Sequence, residues 1–253
     1  MFFVQLFRPK LKAAGLHILC SVLVAACVAL LVFVLWYPEP YRVLSGGTQL
    51  FQMIVGIDVV AGPMLTFLVF NPQKTWRALA VDLGVIAVLQ ATALGYGLWV
   101  VFEARPVHLV FDGRLLRVVH ASDVLQPEGA PPVPLPLVGP ELVALRLPED
   151  SKQRSDLLVA TLNSGVFEAY RAALWVPYAS ARVQVLQQAV TPETVAERHP
   201  QSAELMRRAL ARVGIGIQDV VCLPVVGREY LTWTALLDKR SALPVAYIPI
   251  DPS

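Results

Sequence analysis

The stretch AAGLHILCSVLVAACVALLVFVLWY, residues 13–37, decides the fold because its 25 positions include no Asp, Glu, Lys or Arg. At a rise of ~1.5 Å per residue, a helix of this length spans the ~30 Å hydrocarbon core of a bilayer with some tilt. A cleavable signal peptide has an apolar core of only ~7–15 residues. Residues 13–37 therefore predict a first transmembrane helix that is not removed.

Two more apolar runs follow, at residues 50–70 and 78–102. Thr48, just before the run at 50–70, is a residue type that commonly caps helix N-termini. Trp36 and Tyr37 end the first run and fit the aromatic belt of a membrane interface. The sequence therefore predicts transmembrane helices at 13–37, 50–70 and 78–102, connecting loops at 38–49 and 71–77, and a C-terminal domain at 103–253.

Basic residues flank these helices on one side of the membrane. Arg8, Lys10 and Lys12 precede the first helix, and Lys74 and Arg77 lie in the loop at 71–77. Short loops rich in Lys and Arg stay in the cytoplasm. We therefore expect a bacterial inner-membrane protein with a cytoplasmic N-terminus (residues 1–12), a cytoplasmic loop (71–77), a periplasmic loop (38–49) and a periplasmic domain (103–253).

The C-terminal domain has the composition of an ordinary globular protein. The whole chain is 56% hydrophobic, but residues 103–253 contain 15 Lys and Arg and 16 Asp and Glu. A near-neutral domain lacks the basic surface that nucleic-acid binding requires, so nucleic acid is excluded as a partner. At about 150 residues the domain is long enough to bury a core of its own.

Strand-like runs open and close this domain, with helical spacing between them. The runs at 107–111 and 115–119 are joined at Asp112-Gly113, a favoured hairpin turn. Residues 127–140 contain six prolines and should be extended, and Thr191-Pro192 has the pattern of a capped helix start. Further helices are predicted at 151–162, 183–190 and 203–213, and further strands at 220–226, 229–237 and 244–250. This order indicates an α+β domain.

Asp58 is the sharpest functional candidate, because it lies near the middle of the predicted second span. A carboxylate at this depth costs a few kcal/mol and by default faces a partner or a cavity. Pro63 removes one backbone donor and should kink or break the helix beside the acid. Gly56 and Gly62 flank the same segment. Two interpretations stay open, a hydrogen bond from Asp58 to a neighbouring helix or a direct role in binding a partner.

Asp82 lies about four residues into the third span, close to Lys74 and Arg77, where it can reach the cytoplasmic interface. A pair of intramembrane aspartates also raises the hypothesis of an aspartyl protease. Asp58 lies about eight residues deeper than Asp82, a mismatch near 12 Å at ~1.5 Å per residue. The two carboxylates of a catalytic dyad share a proton at about 3 Å, so the sequence disfavours this hypothesis.

Two rows of small residues suggest close helix packing. Ser21, Ala25 and Ala29 recur at four-residue spacing in the first span, and Ala87, Ala91 and Gly95 do so in the third. Small side chains let membrane helices approach closely. We expect both rows to pack the three helices together, with docking of a foreign helix as the alternative.

The C-terminal domain shows no recognisable catalytic or metal-binding motif. His108, His120 and His199 lack ligand spacing around them, and the sequence contains no H-E-x-x-H, C-x-x-C or G-x-S-x-G pattern. Cys20, Cys27 and Cys222 indicate no disulfide framework. The sequence therefore predicts neither enzyme activity nor a metal or other cofactor.

Several segments together resemble the TfpX/TfpZ family of type IV pilin accessory proteins. The similarity is closest over the three spans and the start of the C-terminal domain, and most specific around Asp58. The segments that carry it are Gly46–Phe51, Val55–Pro63, Phe70–Lys74, Val81–Leu83, Leu89–Gln90, Tyr96–Gly97 and Ala104–Val107, with a looser similarity at Leu236–Asp238 and Pro244–Val245.

The resemblance implies an inner-membrane accessory factor for type IV pilus biogenesis, which acts on pilin stability, assembly or pilus dynamics. Its expected partners are the major pilin, through the pilin's apolar helix and periplasmic head, and the lipid bilayer. Asp58, Gly56, Gly62, Pro63 and Asp82 are the candidate pilin-binding residues. Two alternatives are an intramembrane protease and a periplasmic sensor, although the predicted cytoplasmic segments are too short for a sensor's output domain.

Overall fold

The computed structural model describes residues 2–129, 131–228 and 231–252. The chain divides into two compact units. The helical unit comprises the residues up to Trp36 and the segment Gly46–Ala104, and the sheet unit comprises Tyr37–Ser45 and the residues from Arg105 onward. The chain therefore passes between the two units at three points.

The helices up to Glu103 are α1 (Phe2–Leu30), α2 (Tyr41–Leu44), α3 (Gly47–Val69) and α4 (Trp76–Glu103). A π-helical segment, Leu31–Trp36, extends α1. The extended α1, α3 and α4 are each long and apolar enough to cross a membrane, which confirms the three predicted apolar helices. The helix α1 begins well before residue 13, because the basic residues ahead of the apolar run continue the same helix.

The start and the middle of α3 differ from the prediction. Its N-cap is Gly46, whose φ of 69° lies in the left-handed region that glycine adopts without steric cost. Thr48 lies within the first turn, so the prediction that Thr48 caps the helix is wrong. Pro63 does not break α3, which continues to Val69, because neighbouring helices can stabilise a proline inside an apolar helix.

Packing in the helical unit places the first predicted row of small residues on a more buried face. The helix α1 packs against α3, and α3 packs against α4. Ser21 is buried, while Ala25 and Ala29 are half-buried. Edge-to-face aromatic pairs join Phe7 with Phe67 and Phe33 with Phe51, linking α1 to α3 at both ends.

The second predicted row lies on the other side of α4. Ala87, Ala91 and Gly95 are all exposed, so they do not pack the three helices together as predicted. Gly97 has that role instead, because a Cβ atom on Gly97 would lie 2.9 Å from Cγ1 of Ile54 on α3. Small-residue spacing alone did not reveal which face of α4 turns inward.

The sheet unit is built on one mixed seven-stranded sheet in the order β4-β3-β1-β2-β5-β6-β7. Its strands are β1 (Pro106–Phe111), β2 (Leu116–His120), β3 (Glu141–Leu145), β4 (Trp175–Pro177), β5 (Val220–Val226), β6 (Thr232–Asp238) and β7 (Pro244–Ile248). Its helices after α4 are α5 (Ser151–Ser164), α6 (Arg182–Gln188), α7 (Pro192–Arg198) and α8 (Ser202–Ala211).

Most predicted elements of the sheet unit are present. The strands β1 and β2 form the predicted antiparallel hairpin, in which the Asp112 Oδ1 atom accepts hydrogen bonds from the turn amides of Arg114 and Leu115. Thr191 caps α7, and Pro192 is its first residue. The predicted strand at 229–237 corresponds to β6, although Glu229 and Tyr230 lie outside the described residues.

The strands β3 and β4 were not predicted. The strand β3 pairs in parallel with β1, and β4 pairs antiparallel with β3 at the edge of the sheet. The strand β4 therefore forms between the helices of the domain, so the predicted order of strands, then helices, then strands is not strictly kept. The sheet is mixed, because β1 with β3 and β2 with β5 are parallel pairs.

Apolar side chains cover both faces of the sheet. On one face Leu109, Phe111 and Leu223 pack with residues of α2 and α6. On the other face Cys222 and Leu236 pack with residues of α7 and α8. This alternation along each strand gives a sheet with helical cover on both sides.

The segment Tyr37–Ser45 is part of the sheet unit's core. Tyr37, Leu44 and Ser45 are fully buried, and the Tyr41 hydroxyl lies 3.1 Å from the Tyr247 hydroxyl on β7. The prediction that Tyr37 belongs to an interfacial aromatic belt is therefore wrong. Apolar residues that follow Tyr37 pack against the sheet. Most of the predicted loop at 38–49 therefore belongs structurally to the C-terminal domain.

Candidate functional site

Asp58 on α3 is held by a glutamine of α4. The Nε2 atom of Gln90 donates a hydrogen bond to the Asp58 Oδ1 atom at 2.7 Å and reaches the Asp58 carbonyl oxygen at 3.2 Å. The structure therefore supplies the hydrogen bond to a neighbouring helix that the sequence left open for Asp58. The Oδ2 atom is not used in this contact with Gln90, so the carboxylate retains acceptor capacity for a further donor.

Gly62 makes this contact possible. A Cβ atom at Gly62 would lie 2.1 Å from the Gln90 Nε2 atom, so a side chain there would displace the glutamine. Gly62 and Pro63 are both buried, one turn beyond Asp58 on α3. Gly56, by contrast, is exposed, and a Cβ atom on it would meet nothing within 4 Å.

An apolar groove runs between α3 and α4 beside this polar pair. It has a volume of about 390 Å³. Asp58 and Gln90 line it together with largely apolar residues, namely Leu50, Met53, Ile54, Ile57, Ala61, Leu65, Leu89, Ala93, Leu94, Tyr96, Gly97 and Val100. We call this the α3/α4 groove. A carboxylate within an apolar groove can orient a ligand that brings a donor or a positive charge.

Asp82 does not join this site. Its Oδ2 atom lies 2.5 Å from the Nζ atom of Lys74, in the loop before α4. Along α4, Asp82 is eight residues from Gln90, which corresponds to about 12 Å of helix at ~1.5 Å per residue. Asp58 and Asp82 are thus held by different partners, and the arrangement gives no support to a proton-sharing dyad.

Two polar residues inside the spans were given no role by the sequence. Gln90 interrupts an apolar run, which indicates that its side chain has a polar partner. The spacing of the residues did not identify Asp58 as that partner. His17 on α1 is the second residue, and its Nδ1 atom lies 2.6 Å from the Thr66 hydroxyl of α3. Among the described residues, no group of three or more His, Cys, Asp or Glu is placed to hold a metal ion.

Comparisons with known proteins point to one family. The family model of the fimbrial assembly protein FimB matches residues 5–46, a range that covers most of α1 and continues into the buried segment Tyr37–Ser45. No solved structure matches the chain significantly.

The curated relatives extend this match over the whole chain. The fimbrial assembly proteins of Dichelobacter nodosus serogroups I and E1 are 32% and 31% identical to it, in each case over 98% of this chain and 97% of the relative. The protein of serogroups C1 and C2 is 41% identical over 49% of this chain. With full-length identity at this level, and in agreement with the resemblance to type IV pilin accessory proteins, the chain belongs to the fimbrial assembly protein family.

Proposed function

We propose that this chain is an inner-membrane accessory factor for type IV pilus biogenesis that binds pilin in the α3/α4 groove. Membership of the fimbrial assembly family supports the role in pilus formation. The observation that carries the binding proposal is the groove itself, which combines a long apolar surface with the Asp58 carboxylate.

The groove suits one transmembrane helix. Its lining residues on α3 extend from Leu50 to Leu65, about 22 Å at ~1.5 Å per residue. Membrane helices associate through close packing and hydrogen bonds between helices, because lipid tails are as apolar as the side chains. A pilin in the membrane is expected to offer one such helix, and its free N-terminal amine would complement the Asp58 carboxylate.

Crosslinking in living cells tests this proposal. A photoreactive residue in place of Ile57, which lines the groove and is 62% exposed, should capture the major pilin. The matched control is Val85 on α4, which is 64% exposed but does not line the groove. Capture from both positions, or from neither, would contradict pilin binding in the groove.

Asp58→Asn isolates the charge of the carboxylate. Asparagine keeps an oxygen that can accept the Gln90 hydrogen bond, so the helix contact should survive and the protein level should stay normal. If a positive charge on pilin binds Asp58, surface piliation should fall. Full piliation at normal abundance on an immunoblot would rule out the charged role.

We further propose that the helical unit spans the inner membrane with the sheet unit in the periplasm. The basic residues at both predicted cytoplasmic segments support this orientation. Alkaline phosphatase folds only outside the cytoplasm, so it should be active when fused after Pro106 and inactive when fused at Lys74. The reverse pattern would contradict the orientation.

The proposed role involves no catalysis. The separate partners of Asp58 and Asp82, Gln90 and Lys74, support this proposal. Deletion of the gene should therefore lower surface piliation or pilin abundance while the pilin leader is still cleaved. Accumulation of unprocessed pilin would favour the protease hypothesis instead.

A further inference from the structure

A polar cavity lies within the sheet unit and shares no lining residue with the α3/α4 groove. Its volume is about 210 Å³, and its polar or aromatic lining residues are Arg117, His120, Asp123, Phe167, Tyr170 and Arg228. The strands β2 and β5 run in parallel with Arg117 opposite Val226. This register brings the residues just past the end of β5, including Arg228, alongside the second half of β2.

Arg117 brings a largely buried positive charge to this cavity. Its side chain is 11% exposed, and its guanidinium carbon lies 4.1 Å from the centre of the Phe167 ring. One terminal nitrogen reaches the Asp112 carboxylate at 3.4 Å, a long contact. The Nε atom is buried and has no hydrogen-bond partner among the described residues. A buried donor without an acceptor costs free energy, so the chain itself compensates the charge of Arg117 only in part.

His120 presents a second unpaired nitrogen. The residue is 3% exposed, and its Nδ1 atom lies 3.1 Å from the Asp123 Oδ2 atom. Its Nε2 atom is buried without a partner in the part of the chain that the structure describes. The hydrogen bond from His120 is the main cause that lowers the pKa of Asp123, and the charge of Arg228 acts in the same direction. The Asp123 carboxylate is thus ionised and already engaged.

The charges around the cavity favour an anion. Two arginines, Arg117 and Arg228, line the cavity together with one acidic residue, Asp123. Asp123 is bonded to His120, and Asp112 contacts Arg117 only at the far end of its guanidinium group. Arginine presents several N–H donors in a planar arrangement that matches the oxygens of carboxylate and phosphate groups.

We propose that this polar cavity is a binding site for an oxyanion, a carboxylate or phosphate group, held by Arg117 and Arg228 beside the ring of His120. The volume accommodates such a group with a few attached atoms. The ligand can be a free small anion or an acidic side chain of a protein partner, since both carry the same chemistry. The site does not depend on pilin binding in the α3/α4 groove.

Histidine ring signals provide a direct test. The chain has four histidines, so ¹⁵N-histidine labelling of the full chain in detergent micelles gives a simple spectrum. Sodium phosphate or acetate, titrated at constant ionic strength against chloride, should shift the His120 ring signals saturably. The signals of His17 and His199 should not move. If no anion moves the His120 signals, the cavity holds only water and the proposal fails.

Two arginine variants separate a built site from ionic screening. Arg228→Gln should weaken binding about ten-fold or more, because it removes a charged hydrogen-bond donor. Arg212→Gln, an exposed arginine at the end of α8, should leave binding unchanged. Equal weakening by both variants would contradict the proposal. Unchanged His199 signals show that each variant is folded.

Titration with an acidic peptide identifies the source of the oxyanion. A short acidic peptide that saturates the His120 shift at about ten-fold lower concentration than acetate indicates a protein side chain as the ligand. Tighter binding of free phosphate or acetate indicates a small solute. Both outcomes support the oxyanion site, and failure of all three probes contradicts it.

Discussion

Leu30 and Val60 in the helical unit are 66% and 65% exposed, whereas Leu223 and Leu236 in the sheet unit are fully buried. All four are large aliphatic residues in regular secondary structure. In the helical unit most large apolar side chains point outward, as a bilayer requires, and the helices are joined by close approach at Gly97, by the Asp58–Gln90 hydrogen bond and by aromatic pairs. In the sheet unit the same residue types point inward and form the core.

This contrast implies that truncating an apolar side chain lowers stability much more in the sheet unit than on the outer surface of the helical unit. In water, burial of apolar area stabilises the fold by about 25 cal/mol per Å². In a bilayer, an outward-facing leucine contacts hydrocarbon whether or not the helices are assembled. Stability in the helical unit therefore depends on a few close contacts, while stability in the sheet unit is distributed over its core.

The segment Tyr37–Ser45 is where the two patterns meet along the chain. It follows the π-helical end of α1 and precedes α3, yet the side chains of Tyr37, Tyr41, Leu44 and Ser45 are buried and the segment belongs to the sheet unit. Substitutions at these four positions should therefore behave like core substitutions.

The largest expected effect is at Gly227. A Cβ atom there would lie 2.1 Å from the carbonyl oxygen of Leu44 and 2.8 Å from its carbonyl carbon. Because these are backbone atoms, the whole segment Tyr37–Ser45 would have to move. We expect Gly227→Ala to lower the free energy of unfolding of the sheet unit by about 4 kcal/mol or more. Pulse proteolysis of the full chain in detergent measures this loss.

The control for this variant is Gly216→Ala. A Cβ atom at Gly216 meets only the side-chain end of Gln218, which is flexible and can rotate away. Gly216→Ala should change stability by less than about 1 kcal/mol. Similar stability for the two variants would show that segment 37–45 is not packed rigidly against Gly227.

Two leucines, one in each unit, test the difference between the buried core and the exposed apolar surface. Leu44 is fully buried in the core of the sheet unit, and Leu30 is 66% exposed on α1. Leu44→Ala should cost about 3 kcal/mol, because it leaves a cavity in a packed core. Leu30→Ala should cost less than about 0.5 kcal/mol. A large loss for Leu30→Ala, measured by the same proteolysis, would contradict its assignment to the lipid-facing surface.

The elements that could be predicted from the sequence are those whose formation depends on neighbouring residues. A membrane span needs about 20 apolar residues with all backbone groups bonded internally. The helices α1, α3 and α4 could therefore be predicted from their long apolar runs. The strand β5 was predicted with its correct bounds for a related reason, since a buried strand is a short apolar run. The turn at Asp112-Gly113 and the cap at Thr191 likewise depend on neighbouring residues alone.

The contacts that depend on distant residues were not predictable. The strand β3 exists because it pairs with β1, about 33 residues earlier, and it directly follows a proline-rich stretch that predicts a linker. The partner of Asp58 lies 32 residues away on a helix that is apolar on every side. In such a helix, periodicity does not specify which face turns inward. Nothing in Pro38-Glu39-Pro40 signalled a buried segment.

The pH dependence of stability is a third test, and it concerns the sheet unit alone. His108 on β1 is buried, with its ring 4.4 Å from the Trp175 ring. Burial lowers the pKa of His108 below its ordinary value of 6.5, against an opposing effect of Glu141. The unfolded chain thus binds a proton at a higher pH than the folded chain does. Stability is therefore lost as the pH falls below the ordinary value, by at most about 1.4 kcal/mol per pH unit.

His108→Phe keeps an aromatic ring beside Trp175 and removes the titration. Between neutrality and about pH 5, the free energy of unfolding of this variant should fall less steeply than that of the unaltered protein. The lowered pKa of Asp123 lies below its ordinary value of 3.8, so that group loses its stabilising effect only in stronger acid. Identical slopes for the two proteins would contradict the role of His108.

The smallest expected effect comes from two threonines, one in each unit. Thr66 and Thr234 are both buried, and each hydroxyl makes a 2.6 Å contact, with His17 Nδ1 on α1 and with the Ile250 carbonyl oxygen respectively. Thr→Val keeps the shape and removes the hydroxyl.

Hydrogen bonds between membrane helices average ~0.6 kcal/mol, because separated helices find other partners in the membrane. Thr66→Val should therefore cost about that much. Thr234→Val should cost about 1 kcal/mol or more, because it removes the hydroxyl donor from the partly buried carbonyl oxygen of Ile250. Denaturant unfolding followed by proteolysis of each unit gives both values. If Thr66→Val costs more than about 2 kcal/mol, polar contacts rather than close packing hold the helical unit together, and the contrast between the two units must be redrawn.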